Sequence, residues 1–218
     1  MQEKAYENNI SFIKKNNCIG KVSFIMTPLF FFLSEIFHPR SETDTVKELM
    51  AVANNYTVWY FAHIFALIAI VFLPFVLLNL MHYIDNRNIS MGHMGYIFSI
   101  IGVIGVSGYT AFDLMVWQIG INPNQEVMVN LYDQITQSLG FSLPFLIIGP
   151  LLLVIGITII SIALYRSKII KTWKSILIMI GIFLYGLAGP LVPIDNGHLI
   201  VIFGAGLMLI GLGSIIFE

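Results

Sequence analysis

Charge is what this chain has least of. Only 11% of its 218 residues are Asp, Glu, Lys or Arg, where a soluble domain carries about 25%. Cysteine is nearly absent too. The single Cys18 excludes an internal disulfide and any CxxC zinc or redox motif. No basic stripe or stacking-aromatic pattern runs along the chain, and its net charge of −1 argues against nucleic acid as a partner. A cleavable secretory leader is not expected either. The first 18 residues are polar and charged, and the apolar run after them lacks a small-residue cleavage site.

Apolar residues make up 57% of the chain, and its mean hydropathy is +0.86. They gather into runs long enough to cross a hydrocarbon core of about 30 Å, which takes about 20 helical residues. Six segments qualify, at 19–38, 58–82, 94–118, 141–165, 173–193 and 197–217. These runs are apolar on every face, so the alternating polarity of barrel strands does not fit. The expected fold is an all-α, polytopic six-transmembrane-helix bundle. A cytoplasmic segment, 1–18, leads into a single membrane domain, 19–218.

Basic residues sort by loop. Lys4, Lys14, Lys15, Lys21, Arg87, Arg166, Lys168, Lys171 and Lys174 fall on one side, and only Arg40 and Lys47 on the other. By the positive-inside bias this puts both termini in the cytoplasm of a plasma membrane, of bacterial type, and three loops outside. Two outer loops read as short interfacial helices. In one, Thr45 and Glu48 have capping-box spacing, and Val46, Leu49, Met50 and Ala53 form an apolar face. In the other, Asn122 caps with Pro123 at the first position, and Val127, Leu131 and Ile135 share a face. Such helices cover the bundle or act as a lid.

Glycines punctuate the spans, with Gly102, Gly105 and Gly108 in the third, Gly186 and Gly189 in the fifth, and Gly204, Gly206, Gly211 and Gly213 in the sixth. With no preceding strand they read as helix-packing seams and not as a nucleotide loop. Pro28, Pro74, Pro144 and Pro150 interrupt spans one, two and four.

Against this background a few ionisable residues stand out. Glu35 and His38 end the first span, His63 and Asp113 lie about five residues inside the outer ends of the second and third, and Asp195 and His198 open the sixth. Ionisable residues in spans are costly and normally face one another in the bundle interior. The carboxylate-x-x-histidine spacing, seen twice, places an oxygen and a nitrogen on one helix face, as in carboxylate-bridged metal bundles. Three imidazoles and three carboxylates suit zinc, iron or copper. Asp113 and Glu35 are the candidate general bases for a metal-bound water. Haem b is the alternative cofactor, held by two histidines at matching depth.

Each of these residues also has a plain structural role open to it. His38 fits an interfacial helix end, Glu35 a partner of Arg40 or Lys47, Asp195 a helix cap, and His63–Asp113 an interhelical hydrogen bond. His82 and His93, in the inner loop, fit solvated positions. Ser34-x-x-x-His38, Asp113 and a late histidine resemble residues of the alkaline ceramidase and progestin-receptor superfamily of seven-span zinc proteins. Six spans, and Ile202 where a second histidine belongs, depart from that pattern, and no family is assigned.

Three functions follow as expectations. The first is a metal- or haem-binding membrane enzyme with an outward-facing His/carboxylate site, taking a lipid or small apolar ligand from the outer leaflet. The second is an accessory, immunity or ligand-binding subunit, working with a membrane-protein partner or a second copy, in which the polar cluster is structural. An ion-coupled carrier is third, since the inner half of the spans lacks ionisable residues to complete a path.

Overall fold

A computed structural model describes residues 18–39, 44–120, 124–191 and 194–216. The described residues are helical throughout, with no strand among them. Helix α1 runs Cys18–Phe37, α2 Thr45–Asn54, α3 Tyr56–Met81, α4 Ile89–Gly120 and α5 Gln125–Thr136. Helix α6 runs Leu139–Ser167, α7 Thr172–Leu191 and α8 Ile194–Ile215. Among the described residues α1, α3, α4 and α6 are each long and apolar enough to cross a membrane. Apolar helices α7 and α8 have 20 and 22 residues.

The six long helices close into a ring in chain order. Each packs against the next, and α8 returns to α1. Outward-facing side chains stay apolar. Val71, Ile104 and Met115 are each 64% exposed, a surface that fits lipid and not water. This is a membrane protein.

Close approach comes from glycine. A Cβ on Gly102 would strike the backbone of Leu153, and one on Gly105 would strike Gly149, so α4 and α6 touch backbone to backbone. Gly181 and Gly204 do the same for α7 and α8. Gly213 was expected to join such a seam, but nothing lies within 4 Å of a Cβ there, and Gly206 meets only the edge of Phe32. Pro28 and Pro74 are absorbed inside α1 and α3. Around Pro144 helix α6 opens into a π-helical stretch, Ser142–Ile148, before regular α geometry resumes at Gly149 with Pro150 in its first turn.

Two apolar cores result. The larger fills the ring from Phe24 and Phe31 through Leu73, Leu77 and Ile157 to Met208 and Leu212. The smaller lies at one end and joins α2 and α5 to the ring through Leu49, Val52, Trp59, Phe112, Val116 and Tyr132. The apolar faces of these two short helices are turned relative to the sequence expectation. Leu49 and Val52 are buried, while Val46, Met50, Val127 and Leu131 face outward, because α2 and α5 dock on α4 through their other edges. The cap of α2 also differs. Asp44 accepts from the Lys47 N–H at 3.0 Å, which leaves the Thr45 hydroxyl to donate to Asp133 on α5 at 2.8 Å. Asn122 and Pro123 lie outside the described residues, and α5 begins at Gln125.

Basic residues sort by end. Lys21, Arg87, Arg166, Lys168, Lys171 and Lys174 belong to the end where α1, α4 and α7 start. Lys47 on α2 belongs to the opposite end. Lys174 is buried there and donates to the Ser214 carbonyl at 2.7 Å, which satisfies the last turn of α8.

Candidate functional site at the junction of two cores

His63 lies seven residues inside the Tyr56 end of α3, and Asp113 seven inside the Gly120 end of α4. At 1.5 Å per residue both lie about 10 Å deep on antiparallel neighbours. They meet. His63 Nε2 is 3.4 Å from Asp113 Oδ2, and both residues are buried.

The backbone fixes the other side of the ring. His63 Nδ1 is 2.8 Å from the Trp59 carbonyl, one turn earlier on α3. A carbonyl only accepts, so Nδ1 carries a hydrogen. Whatever stands between Nε2 and the carboxyl is then one proton, held by the imidazole or by Asp113. The Trp59 indole N–H donates to the Asp113 carbonyl at 2.8 Å, so α3 and α4 are tied twice at this level. Tyr109, one turn before Asp113, donates to its carboxyl group.

Helix α1 brings the other members. The His38 ring lies 4.9 Å from Trp59 and 5.0 Å from His63, and Trp59 lies 4.4 Å from His63. The three rings are tilted to one another and form one triangular cluster. His38 Nδ1 faces the Pro39 carbonyl at 2.6 Å. Of the surface partners foreseen for Glu35, Arg40 lies outside the described residues, and no ion pair to Lys47 forms among the described residues. Glu35 accepts from the Tyr185 hydroxyl on α7, and it is close enough to His63 to feel its charge. The reason is the ring, in which α8 alone separates α7 from α1, so that Tyr185 also packs on Phe31 of α1 at 5.1 Å.

A polar layer therefore separates the two cores. Just outside it, Tyr132 on α5 is pushed up to about 12, first by burial and then by the charges of Asp113, Glu48 and Asp133. The Trp117 indole N–H, one turn beyond Asp113 and flanked by Tyr56 and Tyr60, is buried without a hydrogen-bond partner among the described residues. Compared with known families, curated proteins and solved structures, the chain matches none.

Of the six candidate ligands, the structure brings together Glu35, His38, His63 and Asp113. The side chains of Asp195 and His198 lie outside the described residues, although Asp195 falls inside the first turn of α8 and does not precede it. Among the described residues no three of His, Cys, Asp and Glu are grouped to hold a metal ion. Haem between His38 and His63 would need the porphyrin between their rings, and those rings touch. Sequence reasoning missed Trp59, Tyr109 and Tyr185. The first had a signal, since it lies four residues from His63 on the same helix face.

Proposed function

We propose that this is a multi-pass plasma-membrane protein of six spans, with both termini in the cytoplasm, whose outer half holds a proton-carrying His/carboxylate site for a small ligand from the outer leaflet. The observation that carries it is the Trp59 carbonyl at His63 Nδ1, which commits the His63–Asp113 pair to a single shared proton. In this reading Asp113 and Glu35 give and take protons, and α2 and α5 form a lid latched by Thr45 and Asp133. The orphan Trp117 N–H supplies a donor for the ligand. Support for six spans comes from the ring, which needs α7 and α8 beside α1, α3, α4 and α6, and from the sorting of basic residues by end. Outward-facing Val46, Met50, Val127 and Leu131 suit lid helices lying in the headgroup region.

A second reading is favoured by the same bonds. The Nδ1 atoms of His38 and His63 both meet backbone carbonyls, as they do in a structural lock, and the protein is then an accessory subunit. Infrared difference spectra of the detergent-purified protein, taken between about pH 4 and 9, separate the two. The proposal expects a carboxyl signal that disappears in Asp113→Asn and shifts in His63→Ala. A featureless difference spectrum overturns it in favour of the lock. Elemental analysis and an absorption spectrum of the same sample address the metal and haem readings, which gain ground on a stoichiometric transition metal or a Soret band lost in His63→Ala.

A further inference from the structure

The opposite end of the bundle carries a second cleft. It has a volume of about 580 Å³ and lies between the end of α3, the start of α4 and the turn from α6 to α7. That is within the usual range for small-molecule sites, about 300–1,000 Å³. Its walls are of two kinds. Leu78, Met81 and Ile169 form an aliphatic side, and Leu78 and Ile169 are open to the surroundings at 47% and 42% exposure. His82, Asn86 and His93 form a polar mouth.

Charge at the mouth is set by chain geometry. The Asp85 N–H donates to Ser167 Oγ at 3.0 Å, which pins the end of α6 to the α3–α4 turn. None of the lining residues is a cation, but Arg87 acts on the charge of Asp85, Lys168 precedes the lining residue Ile169, and Arg166 precedes Ser167, so three exposed cations stand beside residues of the opening. Asp85 is the one acid in the lining, and it is engaged. Its carboxylate accepts from the Asn88 N–H at 3.0 Å, from Asn88 Nδ2 at 2.6 Å and from Ser167 Oγ at 3.2 Å.

An aliphatic groove open to lipid, under a cationic rim, fits one class of occupant. We infer that this cleft binds an anionic phospholipid, with its phosphate among Arg87, Arg166, Lys168 and the histidines and an acyl chain along Leu78 and Ile169. The inference rests on the membrane nature of the chain and not on the His63–Asp113 site. A soluble protein recovered without detergent would remove the membrane reading itself before any lipid is tested.

The test uses the full chain, extracted in detergent, stripped of lipid and offered dioleoyl phosphatidylglycerol or dioleoyl phosphatidylcholine, with retained lipid counted by native mass spectrometry. The anionic lipid should be retained over the zwitterionic one by about tenfold or more, given the attraction each basic residue adds at a membrane surface. Combined Arg87→Gln, Arg166→Gln and Lys168→Gln should erase that preference. Leu78→Trp keeps every charge but fills the groove, and it should erase it too. All of these positions are exposed, and a thermal melt checks that each variant is folded. Equal retention of both lipids by the wild type overturns the inference. So does a preference that survives Leu78→Trp, which marks surface charge alone. Displacement of the lipid by equimolar inorganic phosphate overturns it as well, since an anion site would then need no lipid.

Discussion

His63 presents a hydrogen to one partner and a lone pair or a second hydrogen to the other, and that asymmetry decides how its neighbours tolerate change. The Nδ1–H···O=C bond to Trp59 is made inside one helix and survives any change at position 113. Asparagine there still offers an N–H to Nε2 and needs no proton. Asp113→Asn should therefore cost about 1 kcal/mol, the worth of one rearranged hydrogen bond. His63→Ala removes the ring contacts with Trp59 and His38 and leaves the Asp113 carboxyl buried with Tyr109 alone, so about 3 kcal/mol is expected. Melting of the two variants in the same detergent checks the order; equal losses would deny the shared proton. The pairing itself was legible in the sequence, because two antiparallel spans with polar residues at equal depth must present them at one level. Tyr185 as the partner of Glu35 was not. A tyrosine in an apolar run carries no mark of its partner, and ring closure alone brings α7 to α1.

At the scale of helices, the seams divide into those that touch and those that do not. Gly105 faces Gly149 across the α4–α6 contact, and a methyl group there overpacks it, so Gly105→Ala should destabilise by about 1–3 kcal/mol. Gly213 has open space, and Gly213→Ala should stabilise by about 0.5–1 kcal/mol through helix propensity. Thermal melts of both checks the sign. Spacing alone named both glycines, since three-residue recurrence says which residues share a face and not which face meets a neighbour. The same limit explains α2 and α5, whose amphipathic stripes were legible while the docked edge was not. The α3–α4 turn gives a pH test. Asp85 is held below the usual carboxylate range, first by the Asn88 side chain, with Ser167 and Arg87 helping. A depressed folded value adds stability above the unfolded one, about 3.9, and loses it as pH falls through the folded value. Melting temperature should drop below about pH 4 in the wild type, and less steeply in Asp85→Asn.

For the whole molecule, the closed ring and the end-sorting of charge are two separate arguments for one topology. Consecutive neighbours joined by short links, such as Met81 to Ile89 and Ser167 to Thr172, must reverse direction, so the ring and its links fix which ends lie together. It says nothing of which end faces the cytoplasm. That comes from charge, with Lys21, Arg87, Arg166, Lys168, Lys171 and Lys174 at one end and Lys47 at the other. The chain carries its own reporter. Cys18 is its sole cysteine, exposed at the start of α1, at the basic end. Met50 on α2 is 48% exposed at the opposite end. In intact cells a membrane-impermeant maleimide should leave Cys18 unmodified and should label Met50→Cys in a Cys18→Ser background. After lysis both should react. Labelling of Cys18 in intact cells inverts the orientation and moves the His63–Asp113 layer to the inner leaflet. Failure of Met50→Cys to react there while Cys18 stays protected puts both ends of α1 on the same side, an even number of crossings apart, and the six-span assignment fails.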